Sequence, residues 1–110
     1  MVPIKKITDL ISKHALLENE LSSGQVDKKL FAEKSKEYSD LNEIIKEAKE
    51  YESFAKNKIE LEKIINDTTS DSDMKFMAKT ELEKISNKHE INERKLKLYL
   101  AHRVPDKLFR

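Results

Sequence analysis

The apolar residues of this 110-residue chain recur at helical spacing in three long segments. In the first segment, a 3-4-3-4 spacing places apolar side chains and one histidine on a single helix face. They are Ile7, Leu10, His14, Leu17 and Leu21. Pro3 suits the first turn of this helix, and Gly24 suits a left-handed cap just after its end. The pattern predicts a helix over about residues 3–22.

The second segment has a good N-cap residue in Asp27 and no helix breaker before Asn66-Asp67. This predicts one uninterrupted helix over 27–66, about 60 Å long at 1.5 Å per residue. Two adjoining apolar stripes run along it, which indicates that it packs against two neighbours and is the central helix. One stripe contains Tyr38, Leu41, Ile45, Ala48, Ala55 and Ile59, and the other Ile44, Tyr51, Phe54, Leu61 and Ile65.

The third segment follows a polar turn in which Ser70 or Asp71 is expected to cap a helix over 71–100. Its apolar positions are Met74, Met77, Ala78, Leu82, Ile85, His89, Leu96 and Leu100. Residues 101–110 are expected to form an irregular tail. The predicted fold is all-α: an elongated antiparallel three-helix bundle, or coiled-coil-like hairpin, with a long central helix.

Composition narrows the function classes. The charges nearly cancel, with 22 Lys and Arg against 21 Asp and Glu, which argues against a strongly basic nucleic-acid binder. A single glycine excludes glycine-rich phosphate-binding loops within these residues, and the lack of cysteine excludes thiolate chemistry. No apolar run approaches the roughly 20 residues that span a bilayer. We therefore expect a cytoplasmic protein that does not contact membranes.

No constellation of residues predicts catalysis. His14 and His89 occupy apolar stripes, where a lone histidine is more often packed than metal-binding, and His102 is the third histidine. The acidic turn with Asp67 and Asp71 lacks the glycine and the bidentate glutamate of an EF-hand loop. We expect no catalytic residue, no metal, no cofactor and no small-molecule ligand.

The C-terminal part of the chain is electrostatically uneven, because residues 94–110 contain six basic residues and a single acidic one. Arg94, Lys95 and Lys97 have two interpretations. They favour a helix C-terminus through the helix dipole, or they contact RNA phosphates. They are the candidate contact residues of this sequence.

Two stretches resemble bacterial class I peptide chain release factors. Residues 31–41, FAEKSKEYSDL, resemble their F-x-x-L-S-K-E-Y-A-E-L stretch, and residues 71–82, DSDMKFMAKTEL, resemble their D-P-E-M-R-E-M-A-x-E-E-L motif. The run from Leu96 to Leu100 is similar to the leucine-rich end of the same domain. The order and spacing of all three agree, and they point to the family branch that reads UAA and UAG.

The resemblance implies that residues 1–100 form the N-terminal helical domain of such a factor. It implies a non-enzymatic docking role toward the stalk base of the large ribosomal subunit and the companion GTPase release factor. The Pro-x-Thr tripeptide that inspects the stop codon and the Gly-Gly-Gln loop that promotes peptidyl-tRNA hydrolysis do not occur in these residues.

Residues 101–110 depart from the family's Leu-Pro-Lys-Asp continuation, which suggests a truncation, a frameshifted end or an added tail. The alternative function is a free-standing coiled-coil adaptor, unrelated to termination, whose similarity reflects only helices rich in Glu, Lys and Leu. The capped turn at Asp71 followed by Met74, Met77 and Leu82 argues against chance similarity.

Overall fold

The computed structural model describes the backbone of residues 2–108 and the side chains of residues 2–102. Over this range the chain forms four α-helices and no strand. They are α1 (Ile4–Ser23), α2 (Lys28–Asn42), α3 (Ile45–Asn66) and α4 (Ser72–Leu108). The all-helical fold that the periodicity predicts is confirmed.

The helix ends follow from local residue chemistry. Gly24 adopts a left-handed conformation with φ 72°, which ends α1 as predicted. The Asp27 carboxylate accepts a hydrogen bond from the Lys29 backbone N–H at 3.0 Å and caps α2. Of the two residues expected to cap the last helix, Asp71 does so, since its Oδ1 accepts from the Met74 N–H at 2.7 Å.

The prediction of one uninterrupted helix over 27–66 is wrong, because the chain turns between α2 and α3. Ile44 leaves the helical region with φ −121° and ψ −6°, and its N–H bonds to the Leu41 carbonyl, three residues back. Leu41 is fully buried and Ile44 is 5% exposed. Burying both side chains overrides the local helical preference, and no glycine or proline marks the turn in the sequence.

The irregular tail expected from residue 101 is also corrected over 101–108, since α4 continues to Leu108. No turn-forming residue lies between Leu100 and Pro105, so the helix extends over residues 101–104 at little cost. Residues 109–110 lie outside the described part of the chain. The division into a domain at 1–100 and a tail stays a prediction.

The four helices form an elongated body measuring 60 × 34 × 18 Å. Its radius of gyration is 18.5 Å, whereas a compact domain of about 100 residues has one near 13 Å. Helix α3 is central and contacts α1, α2 and α4, while α1 also contacts α2. Helices α3 and α4 form an antiparallel hairpin whose turn, residues 67–71, is one end of the molecule.

The hydrophobic core lies away from that turn, where the starts of α1 and α3 meet the second half of α4. It contains Val2, Ile7, Ile44, Ala48, Tyr51 and Leu96. The Tyr51 hydroxyl bonds both the N–H and the carbonyl of Val2, at 3.2 and 3.3 Å, and so fixes the start of the described chain against α3. Because the core is confined to this region, much of the hairpin extends beyond it.

Several predicted stripe positions are therefore exposed. Ala55 is exposed, and Ile59 is 54% exposed, because this part of α3 extends beyond the end of α1. At the start of α4, Met74 and Met77 are 49% and 70% exposed. The prediction that these four side chains belong to the packed seam is wrong.

The two stripe histidines are packed, as predicted. His14 is 7% exposed and stacks on Tyr38 with a centroid distance of 4.8 Å. His89 is half-buried and stacks on Tyr51 at 4.5 Å and Phe54 at 3.9 Å. Each histidine thus joins two helices.

Candidate docking surface

The turn of the α3–α4 hairpin is held by aspartate side chains. Asp67 Oδ1 accepts hydrogen bonds from the backbone N–H of Thr69 at 2.8 Å and from its hydroxyl at 2.7 Å. The Ser70 N–H bonds the Asp67 carbonyl at 3.2 Å, and Asp71 then caps α4. The turn is thus closed by its own polar groups, which leaves the first residues of α4 at the surface.

Three large apolar side chains are exposed directly after this turn. Phe76 and Met77 are 71% and 70% exposed, and Met74 is 49% exposed. Ala78, the next residue, is 4% exposed and makes the contact with the rest of the hairpin. We call Met74, Phe76 and Met77 the apolar tip. Neighbouring exposed apolar side chains of this size are typical of a surface that binds another macromolecule.

The apolar tip is bordered by negative charge. The two hydrogen bonds from Thr69 lower the pKa of Asp67, so its carboxylate stays ionised at neutral pH. Asp71 and Asp73 follow in the cap and the first turn of α4, where the helix dipole favours negative charge. Lys75 lies between Met74 and Phe76, so both signs of charge border the tip, and it is the exposed apolar side chains that favour contact with protein.

The predicted contact residues Arg94, Lys95 and Lys97 lie on one turn of α4, on either side of the fully buried Leu96. Lys95 Nζ lies 3.7 Å from Glu47 Oε1 of α3, and Lys97 Nζ lies 3.5 Å from Glu93 Oε1. Both lysine side chains are 53% exposed, and Arg94 is exposed. Two of the three positive charges are therefore already paired within the chain.

The sequence interpretation missed the apolar tip. It assigned Met74 and Met77 to the packed stripe and gave Phe76 no role. A signal was nevertheless present, because Met74, Phe76 and Met77 cannot all face the same seam at spacings of two and one residues along a helix. Its assumption that neither packed histidine has a carboxylate four residues later on the same helix is wrong, because Glu18 follows His14 and Glu93 follows His89 at that spacing.

We call the turn of α4 that carries Arg94, Lys95 and Lys97 the basic turn. The apolar tip and the basic turn are far apart. Twenty or so residues of α4 separate Met77 from Arg94 and Lys97, which corresponds to about 30 Å along the helix axis. The two surfaces can therefore be tested independently. In the part of the chain that the structure describes, no helix is both long enough and apolar enough to cross a membrane.

Comparison with known proteins gives the family. Residues 10–107 match the profile of the PCRF domain. Peptide chain release factor 1 of Pelagibacter ubique is 59% identical over 100 residues, which cover 91% of this chain and 28% of the relative. Peptide chain release factor 1 of Agathobacter rectalis is 37% identical over 103 residues, 92% of this chain and 28% of the relative.

The release factor 1 of Alkaliphilus oremlandii is 29% identical over 105 residues, 94% of this chain and 29% of the relative. The chain thus spans less than a third of the length of these relatives. No significant match to a solved structure was found. Since the domain profile covers nearly all of the four helices, the chain belongs to the PCRF domain family and corresponds to the N-terminal helical domain of peptide chain release factors.

Proposed function

We propose that this chain is a non-catalytic docking domain of a translation termination factor. It contacts the ribosome at the stalk base of the large subunit and the companion GTPase release factor. The family match supports the link to termination. The exposed apolar tip carries the docking part of the proposal, because Phe76 and Met77 present a protein-binding surface at the far end of an elongated body.

A recognition role suits the described residues better than the chemistry of peptide release does. Water attack on peptidyl-tRNA would need groups that position the water and stabilise the developing charge. The described side chains instead pack helices together or form ion pairs between them. With Gly24 as its single glycine, the sequence holds no Gly-Gly-Gln loop. The role that remains for these helices is recognition.

Docking by the isolated chain is expected to be weak. Within a longer factor, other contacts would make the docking of this domain effectively intramolecular, so that a poor contact still helps. Alone, the chain must meet the full cost of association, several kcal/mol, with a small surface. We expect a dissociation constant in the high micromolar range or weaker, which corresponds to about 5–6 kcal/mol.

The experiment is a titration of the labelled chain against large ribosomal subunits with and without their stalk-base protein. Met77→Asp places a charge in the apolar tip and should abolish the stalk-dependent signal. Leu16→Asp is the matched control, since Leu16 is a 60% exposed apolar residue of α1 that belongs neither to the tip nor to the basic turn. Equal binding by both variants, or submicromolar binding that ignores the stalk base, would contradict the docking proposal.

The basic turn is tested in the same titration. If Arg94 also contacts ribosomal RNA, Arg94→Glu should weaken binding and reduce its dependence on salt, because fewer counterions are released on binding. If binding and its salt dependence are unchanged by Arg94→Glu, the apolar tip alone carries the docking. A release assay on stop-programmed ribosomes completes the test, since the chain should release no peptide above the level without factor.

A further inference from the structure

The acidic side chains in the first half of α3 are turned toward the neighbouring helices. Glu47 Oε1 lies 3.7 Å from Lys95 Nζ of α4. Glu50 Oε1 accepts a hydrogen bond of 3.3 Å from the Asn92 amide of the same helix. Glu52 Oε2 accepts one of 3.2 Å from a threonine hydroxyl of α1. Packing therefore draws these three negative charges away from the uncovered side of α3.

Four lysines of α3 do the opposite and point to solvent. Lys46, Lys49, Lys56 and Lys63 are exposed, and at 3.6 residues per turn they fall within about 100° of the helix circumference. This arc lies on the side of α3 away from the buried Tyr51. Among the described residues, no carboxylate forms an ion pair with any of the four. Charges that alternate along the sequence are thus separated in space.

The positive surface continues onto α4. Ser53 lies on the arc between Lys49 and Lys56, and it lines the same groove between α3 and α4 as Lys88, which is also exposed. The resulting surface, which we call the lysine face, contains Lys46, Lys49, Lys56, Lys63 and Lys88. On the arc of α3, Glu60 is the one acidic residue. Positive charge therefore dominates this surface although the whole chain is nearly neutral.

The chemistry of the lysine face differs from that of the apolar tip. The centre of a protein–protein interface is apolar and depleted of charge, whereas interfaces with nucleic acid are more polar and much more positive. Among the described residues on the arc of α3 that carries the lysines, no large apolar side chain and no aromatic ring is exposed. Single-stranded nucleic acids are held by aromatic rings that stack on bases, so the lysine face suits a double strand better.

We propose that the lysine face binds the phosphate backbone of double-stranded RNA. Lys46 and Lys63 are about 25 Å apart along α3, so the lysines can contact several phosphates of one duplex. Such contacts carry no sequence information, because the phosphate backbone is the same for every sequence. The binding of RNA is inferred from the charges of α3 and α4 alone, whereas the identification of that RNA as ribosomal rests on the proposed function.

The test is a titration of the full chain against a short, fluorescent RNA duplex of arbitrary sequence at several salt concentrations. Lys49→Gln combined with Lys56→Gln removes two charges from the lysine face. This variant should bind more weakly, and the slope of log K against log salt should become shallower by about 2, since each lost phosphate contact contributes about 1. Two duplexes of different sequence should give the same result.

The matched control is Lys28→Gln combined with Lys29→Gln, which removes the same charge from two exposed lysines of α2. It should leave the affinity and the slope close to those of the unsubstituted chain. Equal losses in both double variants would overturn the proposal, because net charge alone would then explain the binding.

Two outcomes with the unsubstituted chain would also overturn it. One is a failure to bind the RNA duplex at low salt. The other is equally tight binding of polyglutamate, which would identify an acidic protein as the partner. None of these results changes the effect expected of Met77→Asp on stalk-dependent docking, so a failure of this inference and a failure of the docking proposal are observed separately.

Discussion

The molecule contains two helix junctions built around a histidine, and their environments are opposite. At the α1–α2 junction, His14 stacks on Tyr38 with the rings 24° from parallel. At the α3–α4 junction, His89 stacks on Tyr51 with the rings 19° from parallel. The two ring pairs are alike, since in each a histidine stacks on a tyrosine of a neighbouring helix.

The hydrogen-bonding groups around the two rings differ. Nε2 of His14 lies 2.6 Å from Asn42 Oδ1, and its Nδ1 lies 3.9 Å from a carboxylate oxygen of Glu18. His89 gains a second aromatic neighbour, Phe54, at 3.9 Å, and burial lowers its pKa. The first junction is polar and the second is aromatic.

The difference arises from the partner helix rather than from the histidine or its own helix. Asn42 is the last residue of α2, where the chain turns and frees a polar side chain to meet His14. Phe54 lies within α3, where only side chains on the hairpin face are within reach. The position of a helix end therefore decides which chemistry a buried histidine meets.

The largest effect is expected from the core that supports the second junction. Leu96→Ala removes a fully buried side chain and should lower the free energy of unfolding by about 2–5 kcal/mol, since the transfer and cavity terms add. Leu98→Ala is the matched control, because Leu98 is 61% exposed. Urea denaturation measures both variants. Equal losses of stability would mean that α4 is rotated relative to the described packing.

At the first junction, the same comparison can be made with Leu41, which is fully buried next to the turn between α2 and α3. Leu41→Ala should also cost about 2–5 kcal/mol in urea denaturation. Leu30→Ala, at a 45% exposed position of the same helix, is the control and should cost much less. A small cost at Leu41 would contradict the burial of this side chain beside the turn.

Replacing each histidine with phenylalanine should change the free energy of unfolding differently at the two junctions, with a loss at the first and no loss at the second. His14→Phe removes the bond to Asn42 and should cost about 1 kcal/mol, the net value of a typical hydrogen bond. His89→Phe keeps a flat ring beside Tyr51 and Phe54 and removes a buried nitrogen, Nδ1, that no other described residue bonds. Its stability at pH 7 should be unchanged or raised by up to about 1 kcal/mol.

Thermal or urea denaturation at pH 7 measures both variants. Losses of equal size would show that the two junctions are energetically alike despite their different neighbours.

The sequence predicts most of this fold because the helices depend on local chemistry. Asp27, Asp71 and Gly24 mark helix ends with side-chain caps or backbone freedom that residue identity reveals. The turn at Ile44 depends instead on the burial of Leu41 and Ile44 between helices distant in sequence. No local pattern records such a contact, so the periodicity predicts a continuous helix there.

The docking surface likewise has features that the sequence reveals and features that depend on packing. Charge counting along the sequence finds Arg94, Lys95 and Lys97, but it cannot show that Lys95 is paired with Glu47 of another helix. The spacing of Met74, Phe76 and Met77 shows that they cannot all face one seam, but it does not show which of them is exposed. Their exposure depends on where α1 and the core stop along the hairpin.

Acidification should weaken the second junction. The pKa of His89 is lowered in the folded chain by burial, so the unfolded chain binds more protons below its ordinary value of about 6.5. The contribution of neutral His89 to the free energy of unfolding is therefore fully present above pH 6.5. It is lost as the pH falls through the pKa that His89 has in the folded chain. Urea midpoints measured between pH 7.5 and 5 should show this decline.

His89→Phe should remove that part of the decline. His102→Gln is the control, because His102 is exposed and should leave the profile as it is. If the profiles of the unsubstituted chain and of His89→Phe coincide, another group causes the acid sensitivity, and the assignment of the second junction as the pH-sensitive one fails.

The smallest effects are expected from the ion pairs that cross the two junctions. Lys34 pairs with Glu20 between α2 and α1, and Lys95 pairs with Glu47 between α4 and α3. The lysine side chains are 28% and 53% exposed, so both pairs are partly in contact with solvent. Double-mutant cycles should give coupling energies of about 0.2–1 kcal/mol for each pair.

The Lys95 coupling should be the smaller of the two. Lys95 is more exposed than Lys34, and Glu47 lies in the first turn of α3, where the helix dipole stabilises its charge without any lysine. Raising the salt concentration should reduce both couplings, since exposed charges are screened within about 8–10 Å. A Lys95 coupling that exceeds the Lys34 coupling and resists salt would show that Lys95 is held inside the junction, and it would leave Arg94 as the one residue of the predicted basic turn available to a partner.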